Sequence, residues 1–122
     1  MRVFKTRAFD RFARRNGIVD ATLLTAAALA AEGVVQADLG GGLIKQRIAR
    51  SGREKSAGFR TIVVLRQGDR AIFVHGFAKK DRANISRAEL SALRLLARSL
   101  LALSDTDIDR ALRTEALLEL RQ

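Results

Sequence analysis

"FRTIVVLRQGDRAIFVHGFA", Phe59 to Ala78, is the stretch that decides how this chain folds. Phe59–Arg66 is almost continuously apolar and rich in β-branched side chains, as a central strand covered on both faces requires. Gln67-Gly68-Asp69 offers a glycine where the chain must reverse, and Arg70–Ala78 is again rich in Val, Ile and Phe. The stretch therefore predicts a β-hairpin whose first arm is central in a sheet.

Toward the N-terminus, Leu43–Arg50 alternates. Ile44 and Ile48 fall on one face of a strand, and Lys45, Arg47 and Ala49 on the other. Gly40-Gly41-Gly42 turns the chain into it. Ser51–Gly58 (Ser-Gly-Arg-Glu-Lys-Ser-Ala-Gly) has no apolar residue large enough to anchor it, which predicts a mobile, cationic hairpin loop. Further upstream, Arg2–Lys5 is short and β-leaning. Thr6 can cap a helix over Arg7–Arg15, ended by Asn16-Gly17, and Asp20 can cap a second over Ala21–Glu32, closed by Gly33.

Downstream, Ser86-Arg-Ala-Glu89 has the form of a capping box. It opens a helix from about Arg87 to Leu103, with Leu90, Leu93, Leu96 and Leu100 as its apolar stripe. Ser104–Asp107 caps a short helix reaching about Leu112, and the apolar tail after Glu115 reads equally as helix or strand. The expected architecture is a single α+β domain over residues 1–122. It has two N-terminal helices, an antiparallel sheet of three to four strands, and C-terminal helices.

Composition narrows the function. A chain of 122 residues, 48% hydrophobic, suits one core. It holds no apolar run long enough to span a membrane and no apolar signal-peptide core at its start, so a cytoplasmic protein is expected. With no cysteine and one histidine, His75, neither a thiolate nor a histidine metal site is expected, nor any cofactor. The net charge is +10 and uneven. Residues 41–82 carry eleven basic and three acidic side chains, residues 1–40 six and four, and residues 83–122 six of each. Cations gathered on strand-like sequence point to a face for an acidic partner. Nucleic acid is favoured over an acidic protein, and a membrane, which calls for a basic amphipathic helix, is disfavoured.

Lys45 and Arg47 share a strand face, Arg60 follows across the hairpin loop, and Lys79-Lys80-Asp81-Arg82 stands where the third strand ends. Converging in one concavity, they would suit a phosphodiester, which Arg grips as a fork and Lys as a point charge. Cleaving RNA there needs no metal, because the 2′-hydroxyl is the nucleophile. The protein orients it, stabilises the phosphorane and moves two protons. Clustered cations also lower the pKa of a neighbouring Lys. His75 alternates with Phe73 and Phe77 and reads first as a structural residue on the sheet face, second as part of an RNA site. The phenylalanines read as core. The glycine triplet lacks the Lys-Ser/Thr of a phosphate-binding loop.

"GGLIKQRIARSGREKSAGFRTIVVLRQGDRAIFVHGFAKKDRANIS", Gly41 to Ser86, resembles the RelE superfamily of type II toxin–antitoxin toxins, and within it the HigB-like branch. The pieces that carry the resemblance are Leu43-Ile-Lys-Gln-Arg-Ile-Ala, Gly58-Phe-Arg-Thr-Ile-Val and Phe77-Ala-Lys-Lys-Asp-Arg-Ala-Asn-Ile, within a match over about residues 34–102. It implies a metal-independent, ribosome-dependent mRNA endoribonuclease that leaves a 2′,3′-cyclic phosphate and inhibits translation. It also implies a cognate helix-turn-helix antitoxin as partner. By the family pattern, Lys45 stabilises the transition state, Arg60 contacts the phosphate and Lys80 matches the Arg proposed as general acid. Arg47 stands where the family has the Lys proposed as general base.

Arg50, Arg53, Lys55, Lys79, Arg82 and His75 complete the expected RNA-binding set. A guanidinium hardly deprotonates, so the base is open among Lys45, Lys79, Lys80 and His75. Ser86 stands roughly where the family has a Tyr that stacks on the substrate base. Two other readings use the same sequence: a gyrase poison of the ParE kind, which would lack these catalytic cations, and a non-catalytic module that binds RNA or ribosomes.

Overall fold

The computed structural model describes residues 1–49 and 58–121; Arg50, expected at the end of a strand, and the expected cationic loop up to residue 57, with Arg53 and Lys55, lie outside the described residues. In chain order the elements are β1 (Arg2–Thr6), α1 (Arg7–Arg15), α2 (Asp20–Ala31), β2 (Ala37–Gly40), β3 (Leu43–Ile48), β4 (Phe59–Arg66), β5 (Arg70–Ala78), α3 (Arg87–Leu101), α4 (Asp105–Arg113) and β6 (Leu117–Leu120). The strands form one sheet in the order β2-β3-β4-β5-β1-β6. The expected antiparallel sheet of three to four strands is thus corrected to six strands, mixed, because β1 runs parallel to β5. β1 then pairs antiparallel with β6, so the ambiguous tail is a strand.

The hairpin stands where expected. β4 is buried from Phe59 through Val64, and Gly68, at φ +78°, makes the turn into β5. β3 also keeps its alternation: Ile44 and Ile48 pack toward α1 and α2, while Leu43 packs toward α3 and α4. β5 does not alternate throughout. The register jumps from Val63↔Phe73 to Ile62↔His75, leaving Val74 as the extra residue of a β-bulge. Strict period two would set Phe73, His75 and Phe77 on one face. Instead Phe73 packs against Phe9 of α1, 5.3 Å between ring centres, while His75 turns to the opposite face, toward α3.

The helices keep their expected caps and apolar stripe with one correction to each. Thr6 caps α1 by accepting from the Phe9 amide at 3.1 Å, and Ser86–Glu89 and Ser104–Asp107 both close capping boxes. Asp20 is not a cap: Val19 holds that position, and the Asp20 carboxylate pairs with Lys5 at 3.0 Å. On α3 the buried line is Leu93, Ala97 and Leu100, joined by Leu90, whereas Leu96 is exposed. Ala97 sits four residues after Leu93 and three before Leu100, which keeps to one helical face where Leu96 turns away. The sheet thus separates two cores, one beneath α1 and α2, the other beneath α3 and α4.

Candidate active site

α3 and α4 cover only part of their face of the sheet. Leu43, Ile62, Val64, Ile72 and Val74 lie beneath them. At the edge of that cover and beyond it, β3, β4 and β5 align two cross-strand rows: Lys45–Ile62–His75, whose middle member is still covered, and Arg47–Arg60–Phe77. Adjacent strands lie about 4.8 Å apart, so each row is a set of immediate neighbours.

Arg60 is the centre of the second row. It is only 6% exposed, and Nη1 donates to its neighbour's carbonyl, Phe59 O, at 3.4 Å. Among the described residues no carboxylate pairs with it. The residue directly opposite is another cation, Arg47. Burial first, then the Arg47 charge, push the Arg60 pKa below the ordinary guanidinium value. Like charges facing each other across strands destabilise a sheet, and a buried unpaired charge costs more. Such an arrangement serves stability poorly and an incoming anion well.

Lys45 is half-buried, and its Nζ donates to Asn84 Oδ1 at 3.4 Å; Asn84 Oδ1 also accepts from the Ile85 amide at 2.9 Å. Arg82 reaches the site from the segment between β5 and α3. Its Nε donates to Asn84 O at 3.0 Å, its guanidinium lies 5.2 Å from the Phe77 ring centre, and it pairs with Glu89. Glu89 also accepts from the Ser86 amide at 2.8 Å, closing the capping box of α3, and its Oε2 lies 3.7 Å from His75 Nε2. The Arg82 hydrogen bond, followed by that from the Ser86 backbone, holds the Glu89 carboxyl down to about 2. His75 shifts downward as well, because burial outweighs the attraction of Glu89, and Arg82 adds to the decrease. Its Nε2 is buried without a hydrogen bond.

A sequence model described as the RelE toxin of the RelE / RelB toxin–antitoxin system matches residues 1–120. The chain belongs to the RelE toxin family. Comparison with curated proteins finds no match. As a RelE toxin it has an antitoxin for a partner. Among the described residues no helix is long and apolar enough to cross a membrane.

Of the residues expected in this RelE toxin's site, Lys45, Arg47, Arg60, His75 and Arg82 share the open face of the sheet. Lys79 and Lys80 are exposed in the turn just past β5, which is tied to the start of β4 by Lys79 N donating to Gly58 O at 3.0 Å. Among the described residues neither ammonium group makes a hydrogen bond or an ion pair. Three participants escape the sequence reading. Glu89 is legible only as a helix cap, Asn84 only as part of a polar loop, and Phe77 only as core. The one available signal is the crowding of Arg82, Asn84, Ser86 and Glu89 into eight residues, where one capping carboxylate is within reach of a second cation.

Proposed function

We propose that this RelE toxin, of the HigB-like branch, is a ribosome-dependent mRNA endoribonuclease neutralised by a helix-turn-helix antitoxin. The observation that carries this reading is the buried Arg60 guanidinium, facing Arg47 and neighboured by Lys45, with no carboxylate among the described residues to answer it. A scissile phosphate is the anion that completes such a cluster.

The reaction follows from the chemistry of RNA. The 2′-oxygen attacks the adjacent phosphorus as the bond to the 5′-oxygen breaks, leaving a 2′,3′-cyclic phosphate and a 5′-hydroxyl. Negative charge peaks on the phosphorane's non-bridging oxygens. Arg60 meets them as a fork, with Arg47 and Lys45 alongside, in a setting partly stripped of water. A guanidinium makes a poor general base, so Arg47 serves as a phosphate ligand. The role of base goes to His75, whose lowered pKa leaves its imidazole neutral near pH 7. Lys80 protonates the leaving oxygen, a role that rests on the family pattern at that position. Phe77 is buried beneath the Arg82 guanidinium, so it seats Arg82 beside the site and does not replace the stacking Tyr whose place Ser86 takes.

The test is primer extension on mRNA in a reconstituted translation system, with and without ribosomes, using wild type and Arg60→Ala. Codon-phased cuts that require ribosomes, and a drop of roughly 100- to 1,000-fold for Arg60→Ala, are expected. Folded protein that stays toxic to cells yet cuts nothing overturns the reading, and a gyrase cleavage assay then decides between the alternatives.

A further inference from the structure

By count, residues 1–40 are nearly balanced, with six basic and four acidic side chains. The fold undoes that balance. Asp10 is buried, forms an ion pair with Lys5 at 2.8 Å and accepts from Arg14 at 2.9 Å; Asp20 accepts from the same Lys5 at 3.0 Å. Both acids near α1 are thereby spent on Lys5 and Arg14. Arg7, Arg11 and Arg15 remain exposed, and none makes an ion pair or side-chain hydrogen bond among the described residues. Spaced four apart, they lie within an arc of about 80° and along about 12 Å of helix. Like charges at this spacing destabilise a helix. The described part of the chain does nothing to relieve them.

Their position is as informative as their charge. Phe12 of α1 packs edge-on against Phe59, 5.9 Å between ring centres, and lies so close to Gly76 that a Cβ there would overlap it. The chain neighbours of those two residues, Arg60, His75 and Phe77, belong to the cleavage site on the other side of the sheet. The arginine face and the cation cluster therefore stand back to back at one end of the molecule. They can engage two different anionic segments at once.

We infer that the Arg7–Arg11–Arg15 face of α1 is a second phosphate-backbone surface, which docks the toxin on folded RNA while the open sheet face holds the strand to be cut. This rests on the nuclease reading above. An RNA rather than an acidic protein is the fitting occupant. Among the described residues the large exposed apolar side chains are Met1, Val19, Leu29, Val34, Leu95 and Leu96, none of them in α1, so the face lacks the anchor a protein partner buries. Guanidinium forks in a row match phosphate oxygens.

The test compares wild type with the R7Q/R11Q/R15Q variant and the charge-keeping R7K/R11K/R15K variant. Binding is measured against 70S ribosomes and against a base-paired RNA hairpin over a range of KCl, alongside antitoxin binding and thermal midpoint. For the glutamine variant, affinity should fall and the slope of log K against log salt should shrink by about two to three units, as for three lost phosphate contacts. The lysine variant should keep the slope with part of the affinity. Antitoxin binding and midpoint should stay as in wild type, and cleavage should show a raised KM with kcat unchanged. Equal affinities and slopes for wild type and the glutamine variant overturn the inference. So does a loss of antitoxin binding with RNA binding intact, which gives the face to an acidic protein. Wild type that cuts nothing on ribosomes sinks the nuclease reading alone, since the hairpin slopes still decide this surface.

Discussion

Facing α1 and α2, the sheet is sealed: Phe9, Phe73, Val63 and Ile44 are buried, and the polar side chains the sheet sends in, Gln46 and Thr61, are answered. The Gln46 amide donates to Ala26 O at 3.1 Å and Val34 O at 2.9 Å, and the Thr61 hydroxyl donates to Gln46 O at 3.0 Å. On the opposite side, the part beneath α3 and α4 is equally dry, but the remainder sinks Arg60 beside Arg47 with one long bond, to Phe59 O at 3.4 Å, and no carboxylate among the described residues. Both faces bury polar groups. The difference is whether the fold itself supplies the partner. A satisfied network holds the chain in one arrangement, whereas an unsatisfied one holds energy in reserve for a ligand.

The sharpest way to break this contrast is to exchange the consequences of mutation across the sheet. Phe73→Ala, on the sealed side, should cost about 3–5 kcal/mol of stability by urea denaturation. The molecules that remain folded should cleave at the wild-type rate. Arg60→Met should do the opposite, losing roughly 100- to 1,000-fold in cleavage. Its urea midpoint should stay level or rise, because a desolvated, unpaired charge has been replaced by an apolar chain of similar length. A fallen midpoint for Arg60→Met would mean the fold does answer that guanidinium, and the contrast would collapse.

A smaller effect probes the contact that joins the two faces. Gly76→Ala places a methyl group against the Phe12 ring, and overpacking of this kind costs about 1–3 kcal/mol. Phe12→Leu in the same chain should recover part of the loss in a double-mutant comparison. No loss from Gly76→Ala alone would show that α1 is not seated against β5 as described.

What could be foreseen in the chain was whatever local periodicity or capping chemistry decides. The alternation of Ile44 and Ile48 against Lys45 and Arg47, the turn at Gly68 and the two capping boxes are all of this kind. β1 was legible as a strand but its place was not, because nothing within Arg2–Thr6 specifies a parallel partner as distant as β5. The bulge was hidden for a different reason. Phe73-Val74-His75-Gly76-Phe77 alternates in composition, and inserting one unpaired residue changes pairing without changing the pattern. Gly76 was the available hint, since a glycine inside a strand marks a bulge or a close approach. The arginine face of α1 vanished in the charge count for residues 1–40, which cannot distinguish acids turned inward from acids beside the cations.

The subtlest test concerns Glu89, the carboxylate shared by a helix cap, Arg82 and His75. Its folded pKa of about 2 lies below its ordinary 4.5, so its ionised form adds stability above pH 4.5, which is lost as pH falls toward 2. Glu89→Gln should flatten the stability curve over that window. His75 is depressed too, so the unfolded chain takes up the proton first, and stability also falls as pH drops below about 6.5. Glu89 acts against that depression and Arg82 with it, so removing the carboxylate should lower the His75 pKa further. As the chain's one histidine, His75 gives an unambiguous NMR titration. If His75 is the base, the acid limb of the cleavage rate must move to lower pH by the same amount. A limb that stays in place while the NMR titration moves would take the base from His75 and return it to a lysine.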